Sequence, residues 1–259
     1  MFASTKQFLA RTALCALISA GVCASALAAD IYDQAVAHKG RSAQDLKRDT
    51  VDKPADVLRL AGIKPGMQVA DVLASDGYYS ELASYVVGPQ GHVLLLNNAA
   101  YDNYSNNGWR ERIEQHHLAN VEHRTIDMAD MGLGDATLDA VLLIKVYHDL
   151  YWVDPANGWP KIDAGAVLDQ IARALKPGGV VVLVDHSAKP GTGSSAAQDL
   201  HRIDEAYARR DFESRGLEFV RSSDIFRRPE DKRDQISYKP PMLGKTDRFV
   251  MVFRKPAKT

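Results

Sequence analysis

The chain has 259 residues, of which 46% are hydrophobic and 25% charged, with 32 Lys and Arg against 33 Asp and Glu for a net charge of -1. This is the composition of an ordinary globular chain of one domain, or at most two small ones. It excludes wholesale disorder, low-complexity repeats and the strongly basic surface that a nucleic-acid partner needs. No apolar run beyond the N-terminus is long enough to cross a bilayer, so no stable membrane insertion is expected.

Residues 1–28 lack any acidic side chain. Lys6 and Arg11 precede an apolar stretch from Thr12, and Ala26-Leu27-Ala28 places small residues where a signal peptidase reads. This pattern predicts a secretory signal peptide cut near Ala28/Ala29, and hence a periplasmic protein. Cys15 and Cys23 are the two cysteines of the chain and both fall in that leader. The exported portion is therefore expected to have neither a disulfide nor a thiolate.

Residues 29–63 read as a polar N-terminal arm with a short helix over Pro54–Leu60. Residues 64–259 read as the main domain. A turn at Lys64-Pro65-Gly66 opens a buried strand over Met67–Ala74. A helix follows over Ser80–Val87, then the turn Gly88–Gly91 and a strand over His92–Leu96. Asn97–Gly108 reads as a loop, Trp109–Leu118 as an amphipathic helix, and Val121–Ile126 and Leu138–Lys145 as strands. Ala164–Leu175 has helical spacing, and Lys176-Pro177-Gly178-Gly179 turns it into a strand over Val180–Val184. Ser195–Arg215 is largely helical, Leu217–Ser222 reads as an edge strand and Phe249–Phe253 as the last strand. Helices alternate with strands that are continuous apolar runs, which predicts an α/β fold with a mostly parallel sheet covered on both faces. Ligands of such sheets sit at the carboxyl ends of the strands.

The segment V-A-D-V-L-A-S-D-G-Y-Y-S-E-L, Val69 to Leu82, follows one of these strands and opens a helix. It resembles the first motif of class I S-adenosylmethionine-dependent methyltransferases, acidic-x-Gly-x-Gly-x-Gly, with Asp71 as the acidic residue and Gly77 as the third glycine. Leu73 and Ser75 stand at the first two glycine positions. K-P-G-G at Lys176–Gly179 recurs at that point of the family. Tyr147-His148-Asp149, Asp185-His186-Ser187, Pro190-Gly191-Thr192-Gly193, Leu200–Asp204 and Gly244–Phe249 extend the resemblance. They point to a branch of methyltransferases that often carry signal peptides.

The resemblance implies a Rossmann-like, seven-stranded sheet whose last strand runs antiparallel between strands five and six. It also implies S-adenosylmethionine as cofactor, surrounded by Asp71, Ala74, Ser75, Gly77, Tyr78, Asn97, Asp127 and Met128, and a small-molecule methyl acceptor. Most members carry an acid at the end of strand two, where this chain has Asn97. Weaker cofactor affinity or a different ligand is expected from that change. His148, Asp149, Asp185 and His186 follow two adjacent strands and form the expected catalytic group, with His148 as the leading general base. Without a His-x-x-x-His spacing the sequence assigns no metal. The alternative function is a repurposed, non-catalytic small-ligand-binding protein on the same fold. G-x-G-x-x-G, G-x-x-x-x-G-K-[ST] and G-x-S-x-G are all absent. The sequence carries no signal for an oligomeric state.

Overall fold

The computed structural model describes residues 30–257 together with Met1. The leader expected over residues 1–28 lies outside them. Three short helices come first: α1 (Ile31–Val36), α2 (Ala43–Asp52) and α3 (Pro54–Ala61). There follow β1 (Gln68–Val72), α4 (Tyr78–Val87), β2 (His92–Asn97), α5 (Ala99–Tyr104), α6 (Gly108–Gln115), β3 (Val121–Thr125) and β4 (Leu138–Ile144). The chain continues through α7 (Ala164–Ala174), β5 (Leu175–His186), α8 (Ala197–Leu200), α9 (Glu205–Ser214), β6 (Glu218–Ser223) and β7 (Arg248–Arg254).

Seven strands form one sheet in the order β3-β2-β1-β4-β5-β7-β6. The first five are parallel, and β7 inserts antiparallel between β5 and β6, as the resemblance implies. Alternation along each strand builds two cores. Ala70, Leu94, Val141, Leu183 and Met251 face one layer with Val167, Leu168 and Ile171 of α7 and Phe212 of α9. Val69, Val93, Leu142, Val182 and Val252 face the other with Leu82 and Val86 of α4. Val57 and Leu58 of α3 are fully buried in that second cluster, so the N-terminal arm is part of the core.

Three elements differ from expectation. The loop Asn97–Gly108 contains α5, capped by the Asn98 side chain on the Tyr101 N–H. The K-P-G-G turn is absorbed into a long β5, with Gly178 at φ 81° and a register shift against β4. The Ser195–Arg215 helix is broken at His201, whose φ is 47°. A new helix then starts from Asp204, whose carboxylate accepts from the Ala206 and Tyr207 N–H groups.

The arm is locked by charge at the end of α2. Asp52, 3% exposed, accepts from Arg48 Nε and Lys145 Nζ, both at 2.8 Å, and from Arg248 Nη1 at 2.7 Å. Burial opposes its ionisation, but Lys145, Arg48 and Arg248 outweigh it and hold the carboxyl well below the usual range. Asp52→Asn keeps the shape and leaves buried cations short of a counter-charge, which costs about 3–5 kcal/mol. Urea unfolding at pH 7 is expected to show a loss of that size, with the slope against urea unchanged.

Candidate functional site

The loop after β1 keeps the backbone of a glycine loop without its glycines. Leu73, Ser75 and Gly77 have φ of 54°, 57° and 81°, so alternate residues lie in the left-handed region. For Leu and Ser this costs about 1–2 kcal/mol each. Gly77 cannot be replaced here: a Cβ would meet Leu95 Cδ1 at 2.6 Å. Its role is thus close packing on β2 as well as turn geometry. The Leu73 side chain is 1% exposed and belongs to the buried cluster that also holds Leu96, Tyr101 and Val146.

Asn97 at the end of β2 clamps this loop. Its Oδ1 accepts from the Ser75 N–H and its Nδ2 donates to the Ser75 carbonyl, both at 2.9 Å, and Nδ2 also donates to Asp102 Oδ1 at 2.9 Å. The acid missing from the strand end is thus present one helix later. Asp102 also holds His123 Nε2 and the Thr125 hydroxyl. Asp71 is buried and accepts from Ser80 Oγ at 2.7 Å. Tyr78 is buried too, its hydroxyl donating to Asp49 of α2. Ala74 and Ser75 remain partly exposed.

At the carboxyl ends of β2 and β3 lies a cavity of about 700 Å³, a volume in the range of small-molecule sites. Asn98 and Ala100 line one side, Ile126, Asp127, Met128 and Ala129 another, and Lys161 and Ile162 a third. Asp127 is exposed, while Met128 is buried beneath it. Of the eight residues expected around the cofactor, Asp127 and Met128 line this cavity. Asp71, Tyr78 and Asn97, in contrast, spend their polar groups on the protein itself.

The expected catalytic group does assemble. Asp185, fully buried, accepts from His148 Nδ1 at 2.6 Å and from the His148 N–H at 2.9 Å. His148 Nε2 lies 3.2 Å from Asp149 Oδ1. Burial opposes the charge on His148, but Asp149 and Asp185 outweigh it and raise the imidazole to about 9. The two carboxylates favour the charged ring, in which both nitrogens of His148 donate. In that form His148 donates and does not act as the general base expected of it. Next to it His186, half-buried, is pushed well below its ordinary value by burial and then by the His148 cation. Its Nδ1 pairs with Thr246 Oγ1 at 2.7 Å. His186 is the neutral imidazole of the pair.

Sequence reasoning missed Tyr101 and Asp52, and gave Lys145, at the end of a strand, no role of its own. Lys145 ends β4 at φ 63°, and burial lowers its ammonium to about 8 despite Asp52. The signal for Tyr101 was Asn98, a capping residue at the start of a segment read as loop.

A methyltransferase domain family model matches residues 87–183. The sheet, mostly parallel with one antiparallel strand, has the Rossmann-like fold of methyltransferases. It is 24% identical over 144 residues to the ubiquinone/menaquinone biosynthesis C-methyltransferase UbiE of Teredinibacter turnerae, an alignment covering 56% of this chain and 53% of that one. The chain thus spans about half the length of that curated relative. A SAM-dependent methyltransferase from Aquifex aeolicus superposes with a TM-score of 0.59 at 20% identity, over 81% of this chain and 93% of that one. A geranyl diphosphate C-methyltransferase from Streptomyces coelicolor A3(2), solved with S-adenosyl-L-homocysteine, gives 0.57 at 14% identity over 88% and 90%. The cyclase SpnF gives 0.60 at 13% identity over 85% of each chain.

The buried Asp71 supplies a pH test. Burial raises its carboxyl to about 7, against the pull of the Ser80 hydrogen bond, whereas the unfolded carboxyl titrates near 4. Between those values the folded state keeps a proton that the unfolded state has lost, so stability falls as pH rises through the window and levels off above it. Asp71→Asn can still accept from Ser80 but does not titrate. Urea unfolding is expected to show the variant gaining on the wild type by about 2–3 kcal/mol between pH 5 and pH 8.

Proposed function

We propose that the protein transfers a methyl group from S-adenosylmethionine to a small-molecule acceptor. The observation that carries this reading is the cavity at the carboxyl ends of β2 and β3 that joins Asn98, Asp127 and Met128, in a chain whose loop after β1 has glycine-motif backbone. Those three residues would hold the adenosine portion, and the partly exposed Ala74 and Ser75 would border the rest. When bound, this cofactor supplies a methyl on a sulfonium, already activated for transfer. The chain's own task is then alignment, exclusion of water and handling of one proton. His148, fixed by Asp185 and Asp149, is a rigid cation at the carboxyl ends of β4 and β5 that orients an acceptor. His186 is the imidazole able to accept a proton from a hydroxyl or ammonium acceptor.

A second reading, a repurposed ligand-binding protein, is favoured by a specific observation. Asn97 is committed to Ser75 and Asp102, and the Leu73 side chain is packed in the core. Calorimetric titration with S-adenosylhomocysteine separates the two. Methyl transfer requires saturable binding by the wild type, and Ala129→Trp, at an exposed position that lines the cavity, is expected to weaken it by about tenfold or more with circular dichroism unchanged. A wild type that binds neither the product nor the donor leaves the ligand-binding reading standing.

We propose further that the protein works outside the cytoplasm, supported by the basic, apolar and small-residue pattern of residues 1–28. N-terminal sequencing of the native protein is expected to start near Ala29. An intact Met1 in a soluble pool refutes it.

A further inference from the structure

Within the acceptor side of the proposed methyl-transfer site, two imidazoles and one carboxylate converge on a single point. His148 Nε2 lies 3.2 Å and His201 Nδ1 3.1 Å from Asp149 Oδ1, and the three donor atoms all lie within 4.8 Å of one another. Ligands bound about 2.0–2.1 Å from a tetrahedral ion stand about 3.3 Å apart. The two short separations are therefore edges of a coordination polyhedron.

Each donor is aimed by an outer partner. Asp185 on His148 Nδ1, at 2.6 Å, leaves Nε2 turned to Asp149. A carboxylate on the far nitrogen is the device that fixes ligating histidines in metal sites. The other oxygen of Asp149 accepts from the Tyr101 hydroxyl at 2.5 Å, which leaves Oδ1 to the imidazoles. His201 sits at φ 47°, a strained conformation for a residue with a Cβ. Its ring lies 5.0 Å from that of Trp152 and 4.7 Å from that of Tyr238, centroid to centroid.

We propose that His148, Asp149 and His201 bind a divalent transition ion of the zinc class. Two imidazoles select such an ion over magnesium or calcium, which take oxygen donors. Asp149 and His201 are partly exposed, so the point is open to solvent. Three protein donors leave at least one position for water or an acceptor oxygen. On binding, the proton on His148 Nε2 leaves to solvent and the ion takes its place between imidazole and carboxylate. His148 and His201 come from segments far apart in sequence, joined only by the break between α8 and α9, and a search for short histidine spacings does not find them.

The ligands overlap the proposed acceptor site, but the test reads the ion itself and not methyl transfer. The full chain is stripped with a chelator and titrated with Zn²⁺ by equilibrium dialysis, and with Co²⁺ by visible absorption. One equivalent is expected to be lost in both His201→Ala and Asp149→Asn, with affinity reduced by about a hundredfold or more and the visible cobalt bands lost. Wild type that takes up no ion, or variants that bind as many equivalents as wild type with the same affinity, overturn the proposal. Should the variants fail to fold, ring-nitrogen NMR of the wild type decides it. Zn²⁺ must then shift His148 Nε2 and His201 Nδ1, and unshifted resonances at saturating zinc overturn the site.

Discussion

The carboxylate of Asp52 is the contact on which the arrangement of the site depends. It sits at the end of α2 and binds one cation from its own helix, one from the carboxyl end of β4 and one from the start of β7. An isolated charge this deep would unfold the segment around it, so the three partners must be assembled together. Their assembly brings α2 over the loop after β1, where Asp49 takes the Tyr78 hydroxyl and the Asp52 carbonyl takes that of Tyr79. Arg112 of α6 reaches the same side, binding Asp45 at 2.7 Å and Asp76 at 2.9 Å. The arm and the domain thus share one ion network, which holds α2 against the loop after β1.

The same physics explains why the loop keeps its shape without its glycines. Three left-handed residues in alternation are intrinsically unfavourable when two of them carry side chains. Here the loop is over-determined from outside. Asn97 satisfies both backbone groups of Ser75, the Ala74 N–H donates to the Leu96 carbonyl at 3.2 Å, and Gly77 is pressed onto Leu95. Burial of the Leu73 side chain returns about 2 kcal/mol against the strain. A glycine loop that binds a ligand leaves these backbone groups open. This one supplies its own partners, and in doing so removes Asn97 from the set of ligand contacts.

The central fold was legible because the strands are continuous apolar runs buried on both faces, and such runs depend little on distant context. The antiparallel place of β7 came from the resemblance, since nothing in Phe249–Phe253 itself fixes direction. What could not be read depends on partners remote in sequence. A break at His201 inside a helical pattern needs the tertiary contact between His201 and Asp149 to make a left-handed residue worthwhile. Likewise, Lys145 reads as the last residue of an apolar strand until Asp52 is seen beside it. The histidine and aspartate cluster was visible as a group, since its members follow adjacent strands. The division of roles within it was not, because that rests on which carboxylate faces which nitrogen.

That division separates this chain's chemistry from its fold. A methyltransferase and a cyclase superpose on it about equally well, so the sheet provides strand ends without prescribing what they do. At the ends of β4 and β5 this sequence places two aspartates against one imidazole, and the second histidine is left neutral for want of a carboxylate of its own. A single buried carboxylate would give a histidine one oriented donor nitrogen and leave a lone pair for proton transfer. The second carboxylate, Asp149, faces the other ring nitrogen at 3.2 Å and favours the charged form of the ring. Asp149 is itself steered by Tyr101 and His201, residues from α5 and from the break after α8. The chemistry of β4 is therefore decided by two segments that are not strands, and the loops between the repeating units carry the individuality of the site.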